Sequence, residues 1–73
     1  MERKVFLGLL GRRIVELRQK IGISQAELAR RCEKDPQSIE RIENAKVNPT
    51  AHTLYQIAKA LDCKTMDLFD FEH

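Results

Sequence analysis

The sequence shows none of the alternation of apolar and polar residues that marks a β-strand, whereas helix-forming residues abound, so an all-α fold is expected. It also contains no apolar run of membrane-spanning length. The apolar residues 5–11 suggest a signal peptide only superficially, because the run is short and meets Arg12 and Arg13 without a cleavage-like site. We therefore predict a cytoplasmic protein with no membrane partner.

The residue sets that carry catalysis or bind metals are also missing. No nucleophile is paired with a plausible base and orienting group, and no glycine-rich phosphate loop is present. The two cysteines, Cys32 and Cys63, form no C-x-x-C pair and could join His52 and His73 in a zinc set only by a coincidence of folding. We expect Cys32 to be a small core residue. The prediction is a non-enzyme with no catalytic residue, metal, cofactor or small-molecule ligand.

The net charge of only +2 is spread unevenly along the chain. Residues 1–31 hold eight Lys/Arg against three Asp/Glu, while residues 32–73 hold five against eight. A basic amino-terminal half is expected if one face of the molecule meets nucleic-acid phosphates. Ordinary surface charge is the alternative interpretation.

Residues 23–28 carry the signals of a helix start. Ser24 can accept a hydrogen bond from the backbone N–H of Glu27, whose side chain can reach back, and this makes a capping box. Ile23 and Leu28 flank it as a hydrophobic staple. A helix is therefore predicted to begin at Gln25.

A second helix start follows after a short polar break. Asp35 is a strong N-cap residue, and Pro36 fits the first helical position, where no N–H is needed. The second helix is predicted over residues 36–44, and the tight connection at residues 31–34 makes the two helices cross steeply. This arrangement is typical of a motif that places its second helix in the DNA major groove.

The second helix has one apolar and one polar side at about 100° per residue. Ile39 and Ile42, together with Glu43, fall on the side that docks the helix. The opposite side carries the residue types that read base edges, namely Gln37, Arg41, Asn44 and, at its edge, Glu40. A solvated helix face is the alternative interpretation, but the preceding helix and turn favour DNA binding.

Taken in this order and spacing, the chain resembles the helix-turn-helix domains of the Cro/phage-repressor type, the XRE family. The resemblance covers nearly all of the chain, through residues 10–14, 24–29, 39–43, 48–49 and 54–61. It implies that bases are read by Gln37 and Arg41, and that the DNA backbone is held by Gln25, Asn44 and Lys46. It also implies a structural ion pair between Arg18 and Glu43.

The chain departs from the family pattern at three places. Glu33 and Lys34 replace a glycine and an apolar residue, which predicts a turn that is one helical turn longer or less tightly packed. Ala45 replaces a glycine whose left-handed conformation would cost alanine about 1 kcal/mol, so Asn44 is the expected left-handed residue. Pro36 replaces a polar contact residue and offers at most an apolar contact to a thymine methyl group.

The remaining apolar residues recur at helical spacing. They predict a first helix over residues 5–20 that ends near Gly22, a fourth soon after Thr50, and a short fifth that Thr65 caps. Gly8 and Gly11 are expected to weaken the start of the first helix. The expected fold is a compact five-helix bundle of the lambda-repressor-like type, a single domain over residues 1–73 with its helix-turn-helix motif at about 25–44.

The predicted function is sequence-specific regulation of transcription through binding to double-stranded DNA. One recognition helix covers few base pairs, so we expect a homodimer on a palindromic operator, acting as a small stand-alone repressor or controller. The expected dimer surface is formed by Leu68, Phe69 and Phe71, whose burial in the chain's own core is the alternative. The alternative function is a protein-interaction module with the same fold, such as an antitoxin or coactivator.

Overall fold

The computed structural model describes residues 1–71, which fold into four α-helices followed by a 3-10 helix. The elements are α1 (Arg3–Lys20), α2 (Gln25–Arg31), α3 (Pro36–Glu43), α4 (Ala51–Ala60) and the 3-10 helix (Thr65–Phe69). This stretch of the chain contains no β-strand. The all-α prediction is confirmed, with a 3-10 helix in place of the fifth α-helix.

Short polar side chains fix the starts of the two central helices. Ser24 Oγ accepts a hydrogen bond from the N–H of Glu27 at 3.0 Å, and Asp35 Oδ1 accepts one from the N–H of Ser38 at 2.8 Å. Each bond satisfies one of the backbone donors that a helix start leaves without an intrahelical partner. Both predicted helix starts are confirmed.

The cap of the 3-10 helix differs from the prediction. The N–H of Lys64 donates to Asp67 Oδ2 at 2.9 Å, and Thr65 is the first residue of the element, not its cap. Arg13 Nε donates to the carbonyl oxygen of Asp67 at 2.8 Å. This hydrogen bond ties the end of the chain to the middle of α1.

All four α-helices end with a left-handed residue just after the C-cap. These residues are Gly22, Glu33, Ala45 and Asp62, with φ angles of 72°, 57°, 59° and 58°. In each case the N–H of the following residue returns to the carbonyl five positions earlier, as Lys34 does to Ala29 at 2.8 Å. These are Schellman motifs, and only the first of them has a glycine at the left-handed position.

Two of the alternatives predicted for these helix ends are wrong, namely a longer turn after α2 and a left-handed Asn44. The turn after α2 is not a helical turn longer, because Glu33 itself adopts the left-handed conformation and the helix stops at Arg31. After α3 the left-handed residue is Ala45, whereas Asn44 has a φ of −99° and caps the helix. The hydrogen bonds of the Schellman motif offset a strain of about 1–2 kcal/mol at each position.

The core receives side chains from every helix. The largest of those that are fully buried are Leu10, Ile14, Leu28, Ile39, Ile57 and Leu68. Cys32 joins this core at the C-cap of α2, as predicted. Since α3 packs against both α1 and α2, two other helices set its orientation.

The carboxy-terminal apolar residues pack largely against the chain itself. Leu68 is fully buried, so the expectation that it leaves apolar surface for a dimer is wrong. The ring of Phe6 in α1 lies 6.2 Å from that of Phe69 and 5.5 Å from that of Phe71, measured between centroids. These three aromatic residues remain half-buried, and the neighbouring Met66 is 70% exposed.

Candidate nucleic-acid interface

The polar side of α3 is accessible. Ile39 and Ile42 are buried and hold the helix to the core. Gln37 and Arg41, four positions apart and therefore on the same side of a helix, are both exposed. Arginine can donate two hydrogen bonds to guanine, and glutamine can form a bidentate pair with adenine. The structure therefore leaves the two predicted base-reading residues free to approach a base-pair edge.

A close approach between two helices fixes the end of α3. At Gly11 in α1, a β-carbon would lie 2.8 Å from the carbonyl oxygen of Ile42 and closer still to that of Glu43. Only glycine allows the backbones of α1 and α3 to come this near. Sequence reasoning missed this role and took Gly11 for a residue that only weakens α1, since the contact joins segments far apart in the chain.

The carboxylate of Glu43, at the last residue of α3, binds two side chains from other helices. Arg18 Nε donates to Glu43 Oε2 at 2.7 Å, and Arg18 Nη2 donates to Oε1 at 3.1 Å. Gln25 Nε2 also donates to Oε1, at 2.8 Å. The Glu43 side chain is only 2% exposed, so removing Arg18 would leave a buried charge uncompensated, at a cost of about 3–5 kcal/mol. The cluster joins α1, α2 and α3.

The contact with Glu43 determines what Gln25 can offer to DNA. A glutamine amide has two N–H donors, and one of them is used by the Glu43 carboxylate. Because the amide group is planar, the hydrogen bond to Glu43 also fixes the direction of the second N–H. The structure thus orients the side chain that the resemblance assigns to a DNA phosphate.

The other two residues predicted to contact the DNA backbone, Asn44 and Lys46, both donate hydrogen bonds to the side chain of Glu40. Glu40 Oε1 accepts from Lys46 Nζ at 2.7 Å and from Asn44 Nδ2 at 3.2 Å. The Asn44 amide also donates to the carbonyl oxygen of Glu40 at 3.0 Å. The hydrogen bond from Lys46 lowers the pKa of the Glu40 carboxyl below its ordinary value. Sequence reasoning missed this cluster, because Lys46 returns toward Glu40 only through the left-handed Ala45.

A second exposed ion-pair cluster lies along α2. Glu27 accepts from Arg30 Nε at 3.0 Å and from Arg31 Nε at 2.9 Å. These hydrogen bonds lower the pKa of Glu27 from its ordinary value of 4.5 to about 2. The same contact raises the pKa of Arg30. The predicted capping box is therefore only half formed: Ser24 caps the helix, but the Glu27 carboxylate binds the two arginines.

Residues 1–71 contain neither a cluster of metal ligands nor a membrane span. No three His, Cys, Asp or Glu side chains in this range come together as ligands of one ion. Burial raises the pKa of the Cys32 thiol, as it does for Cys63. His73, the fourth member of the zinc set considered above, lies outside the described residues. No helix in the described range is long and apolar enough to cross a bilayer.

These features together define a class of protein. A short helix docked by two isoleucines and preceded by a second short helix and a four-residue connection is a helix-turn-helix, the motif with which many proteins place a helix in the DNA major groove. Comparison with known proteins identifies the family, since the helix-turn-helix family HTH_3 matches residues 14–68. The chain belongs to this family and is a DNA-binding transcription regulator, not an enzyme.

Similar proteins are found in more than one organism. An uncharacterized HTH-type transcriptional regulator of Archaeoglobus fulgidus is 37% identical over 60 residues, which cover 82% of this chain and 86% of that protein. The restriction-modification controller protein C.AhdI from Aeromonas hydrophila is 29% identical, with a TM-score of 0.90 over 94% of this chain and 100% of that chain. A mutant of the controller protein C.Esp1396I is 27% identical, with a TM-score of 0.84 over 90% of this chain and 88% of that chain.

Proposed function

We propose that this regulator binds a palindromic operator as a homodimer and reads it in the major groove with α3. The observation that carries the proposal is the exposure of Gln37 and Arg41 on a helix whose end is fixed by the Glu43 cluster. Base reading requires donors held in place, because each bidentate contact discriminates by about 1–3 kcal/mol only when its geometry is met. Packing against α1 and α2 supplies that rigidity.

The DNA backbone is held on both sides of α3 in this proposal. Gln25 meets a phosphate before the recognition helix, with the amide that Glu43 orients. Asn44 and Lys46 meet a phosphate after it. Contacts of this kind fix the register of the protein on the duplex and carry no sequence information themselves.

The regulator acts, in this proposal, as a small stand-alone repressor or controller, with residues 1–73 as one helix-turn-helix domain. The similarity to C.AhdI supports this form, because it extends over the whole of that controller protein. A regulator of this kind works where the chromosomal DNA lies, and we therefore place it in the cytoplasm.

The homodimer follows from the reach of one helix. One recognition helix covers a few base pairs, and a twofold axis brings two of them to half-sites about 34 Å apart. The carboxy-terminal end supplies apolar area for this axis through Met66, which is 70% exposed, and the half-buried Phe69 and Phe71. Sedimentation at micromolar concentration should show a dimer, and a monomer both with and without DNA would contradict it.

Three alanine variants test the assignment of roles. Arg41→Ala should cost about 1–3 kcal/mol in binding to the operator and relax preference at one base pair per half-site. Lys46→Ala should weaken binding to all DNA sequences alike. It should also reduce the slope of log affinity against log salt concentration by roughly one unit. Lys59→Ala, which removes an exposed charge from α4, is the matched control and should change neither property. The measurement is fluorescence anisotropy on operator and random duplexes across a salt series.

Two results would contradict these roles. If Arg41→Ala and Lys46→Ala weakened binding to both duplexes equally, Arg41 would not be a base-reading residue. A wild-type protein that stays folded and binds neither duplex above the level of an unrelated protein would show that the fold serves another partner.

A further inference from the structure

The carboxylate of Glu40 occupies the donors that the proposed function assigns to a DNA phosphate. Its Oε1 atom lies 2.7 Å from Lys46 Nζ and 3.2 Å from Asn44 Nδ2. A phosphate oxygen seeks the same ammonium and amide donors, at similar distances. Glu40 and a phosphate therefore compete for the same site.

Glu40 also stands beside the base-reading residues. It precedes Arg41 in α3 and lies at the edge of the helix's polar side, where it is half-buried. A phosphate that takes over Lys46 releases the Glu40 carboxylate within reach of the major groove. In that groove the donor groups of bases are the amino groups of cytosine and adenine, and the other polar groups are acceptors.

We propose that Glu40 is a specificity-determining residue that suppresses binding to non-operator DNA. Its carboxylate binds Lys46 and Asn44 and releases them at no net cost only where it can accept a hydrogen bond from a base amino group instead. This inference rests on the proposed function. On an operator with cytosine or adenine in reach, the released carboxylate accepts a hydrogen bond from the base amino group. This new hydrogen bond nearly compensates for the lost contacts with Lys46 and Asn44. On other sequences it faces acceptors and phosphates, and binding is weakened. Discrimination thus comes from a repulsive element as well as from attractive ones.

The size of the effect is modest, because the cluster is exposed. The Lys46 side chain is 59% exposed and that of Glu40 35%, and exposed ion pairs are weak and screened by salt. We expect Glu40→Gln to tighten binding to a random-sequence duplex by about threefold to tenfold near 150 mM salt. Binding to the operator should tighten less, or weaken, so that the ratio of the two affinities falls at least about threefold.

The test compares Glu40→Gln with Asp62→Asn by anisotropy on two probes, a duplex that the wild type selects from a random pool, used as the operator, and a random-sequence duplex. Asp62 is exposed after α4, and asparagine tolerates its left-handed conformation, so this variant changes net charge equally without touching the cluster. It should alter both affinities by the same small factor. In a Lys46→Ala background, Glu40→Gln should lose most of its effect on the random duplex, because the held donor is gone. Thermal unfolding confirms that each variant is folded.

The outcomes separate the two proposals. Suppose that the wild type prefers its operator and that Glu40→Gln changes the ratio of operator to random-duplex affinity no more than Asp62→Asn does. The role of Glu40 is then overturned while the proposed function stands. An undiminished effect of Glu40→Gln in the Lys46→Ala background also overturns it, since the carboxylate would then act through its charge alone. If the wild type binds operator and random duplexes equally, the proposed function fails, and with it the role of Glu40 in discrimination.

Discussion

At the scale of single residues, three carboxylates of the motif differ in their partners and hence in their roles. Glu43 is buried and binds Arg18 and Gln25, so it contributes to the fold. Glu40 is half-buried and holds two residues of the proposed DNA contact. Glu27 binds two arginines of its own helix, α2, and takes part neither in the buried Glu43 cluster nor in the proposed DNA contact. The sign of the charge is the same in all three, and the surroundings decide what it does.

Stability in acid should depend on Glu27. Its pKa in the folded protein is about 2, below the ordinary value of 4.5. A group whose pKa is lower in the folded state stabilises that state above its unfolded pKa, and this contribution is lost as the pH falls from 4.5 to about 2. Urea unfolding between these limits should show a steeper loss of stability for the wild type than for Glu27→Gln. Salt should shrink the difference, because the arginines are exposed. Parallel pH profiles for both proteins would refute this assignment.

Residue roles could be predicted from the sequence where they are local. The caps Ser24 and Asp35 act on N–H groups three positions away, so the pattern alone contains them. The pair of Arg18 and Glu43 came from the family resemblance and not from spacing, because 25 positions separate the two. The contacts of Glu40 depend on the path of the chain after α3, and the sequence offered no local signal for that path.

At the scale of elements, the starts of the central helices follow from the sequence better than helix ends do. A start is marked by a side chain that binds the backbone nearby. An end needs a left-handed residue, and here glutamate, alanine and aspartate take that place after α2, α3 and α4. The turn chemistry was therefore misjudged where glycine was absent. Backbone hydrogen bonds of the Schellman type close each of these ends nonetheless.

The strain at the end of α3 can be measured with one substitution. Ala45→Gly should raise the free energy of unfolding by about 0.5–1 kcal/mol, since glycine adopts the left-handed conformation without strain but loses more entropy on folding. Ala26→Gly, in an exposed position of α2, is the matched control and should lower it by about 1 kcal/mol. Urea unfolding of both variants gives the comparison. A loss of stability in both would mean that the left-handed alanine is not strained.

The two glycines of α1 should respond in opposite ways to alanine. Gly8 has no neighbouring atom within 4 Å of a β-carbon, so Gly8→Ala should stabilise the helix by about 0.5–1 kcal/mol. Gly11 meets the backbone of α3, so Gly11→Ala should destabilise by about 1–3 kcal/mol and displace the recognition helix. Unfolding in urea and anisotropy with operator DNA measure the two effects. Equal stabilisation by both variants, with operator binding intact, would show that the helices can separate without cost.

At the scale of the whole molecule, the uneven charge along the chain is partly compensated by contacts within the fold. The first 31 residues hold eight basic residues against three acidic ones. The acidic residues Asp67 and Asp70 at the other end pair with Arg13 of α1 through a backbone oxygen and a carboxylate. The fold class could be predicted because helix periodicity and the motif agree. The burial of the carboxy-terminal apolar residues could not, because Leu68 turns inward and the placement of the neighbouring aromatic residues depends on Phe6, far away in the sequence.

We propose above that α3 reads a palindromic operator as part of a dimer. The most direct measurement is selection of bound sequences from a random duplex pool at about 150 mM salt, where nonspecific phosphate binding is suppressed. We expect enrichment of a palindrome with half-sites one helical turn apart, and loss of preference at one position of each half-site with Arg41→Ala. A folded wild-type protein that enriches no sequence would contradict it.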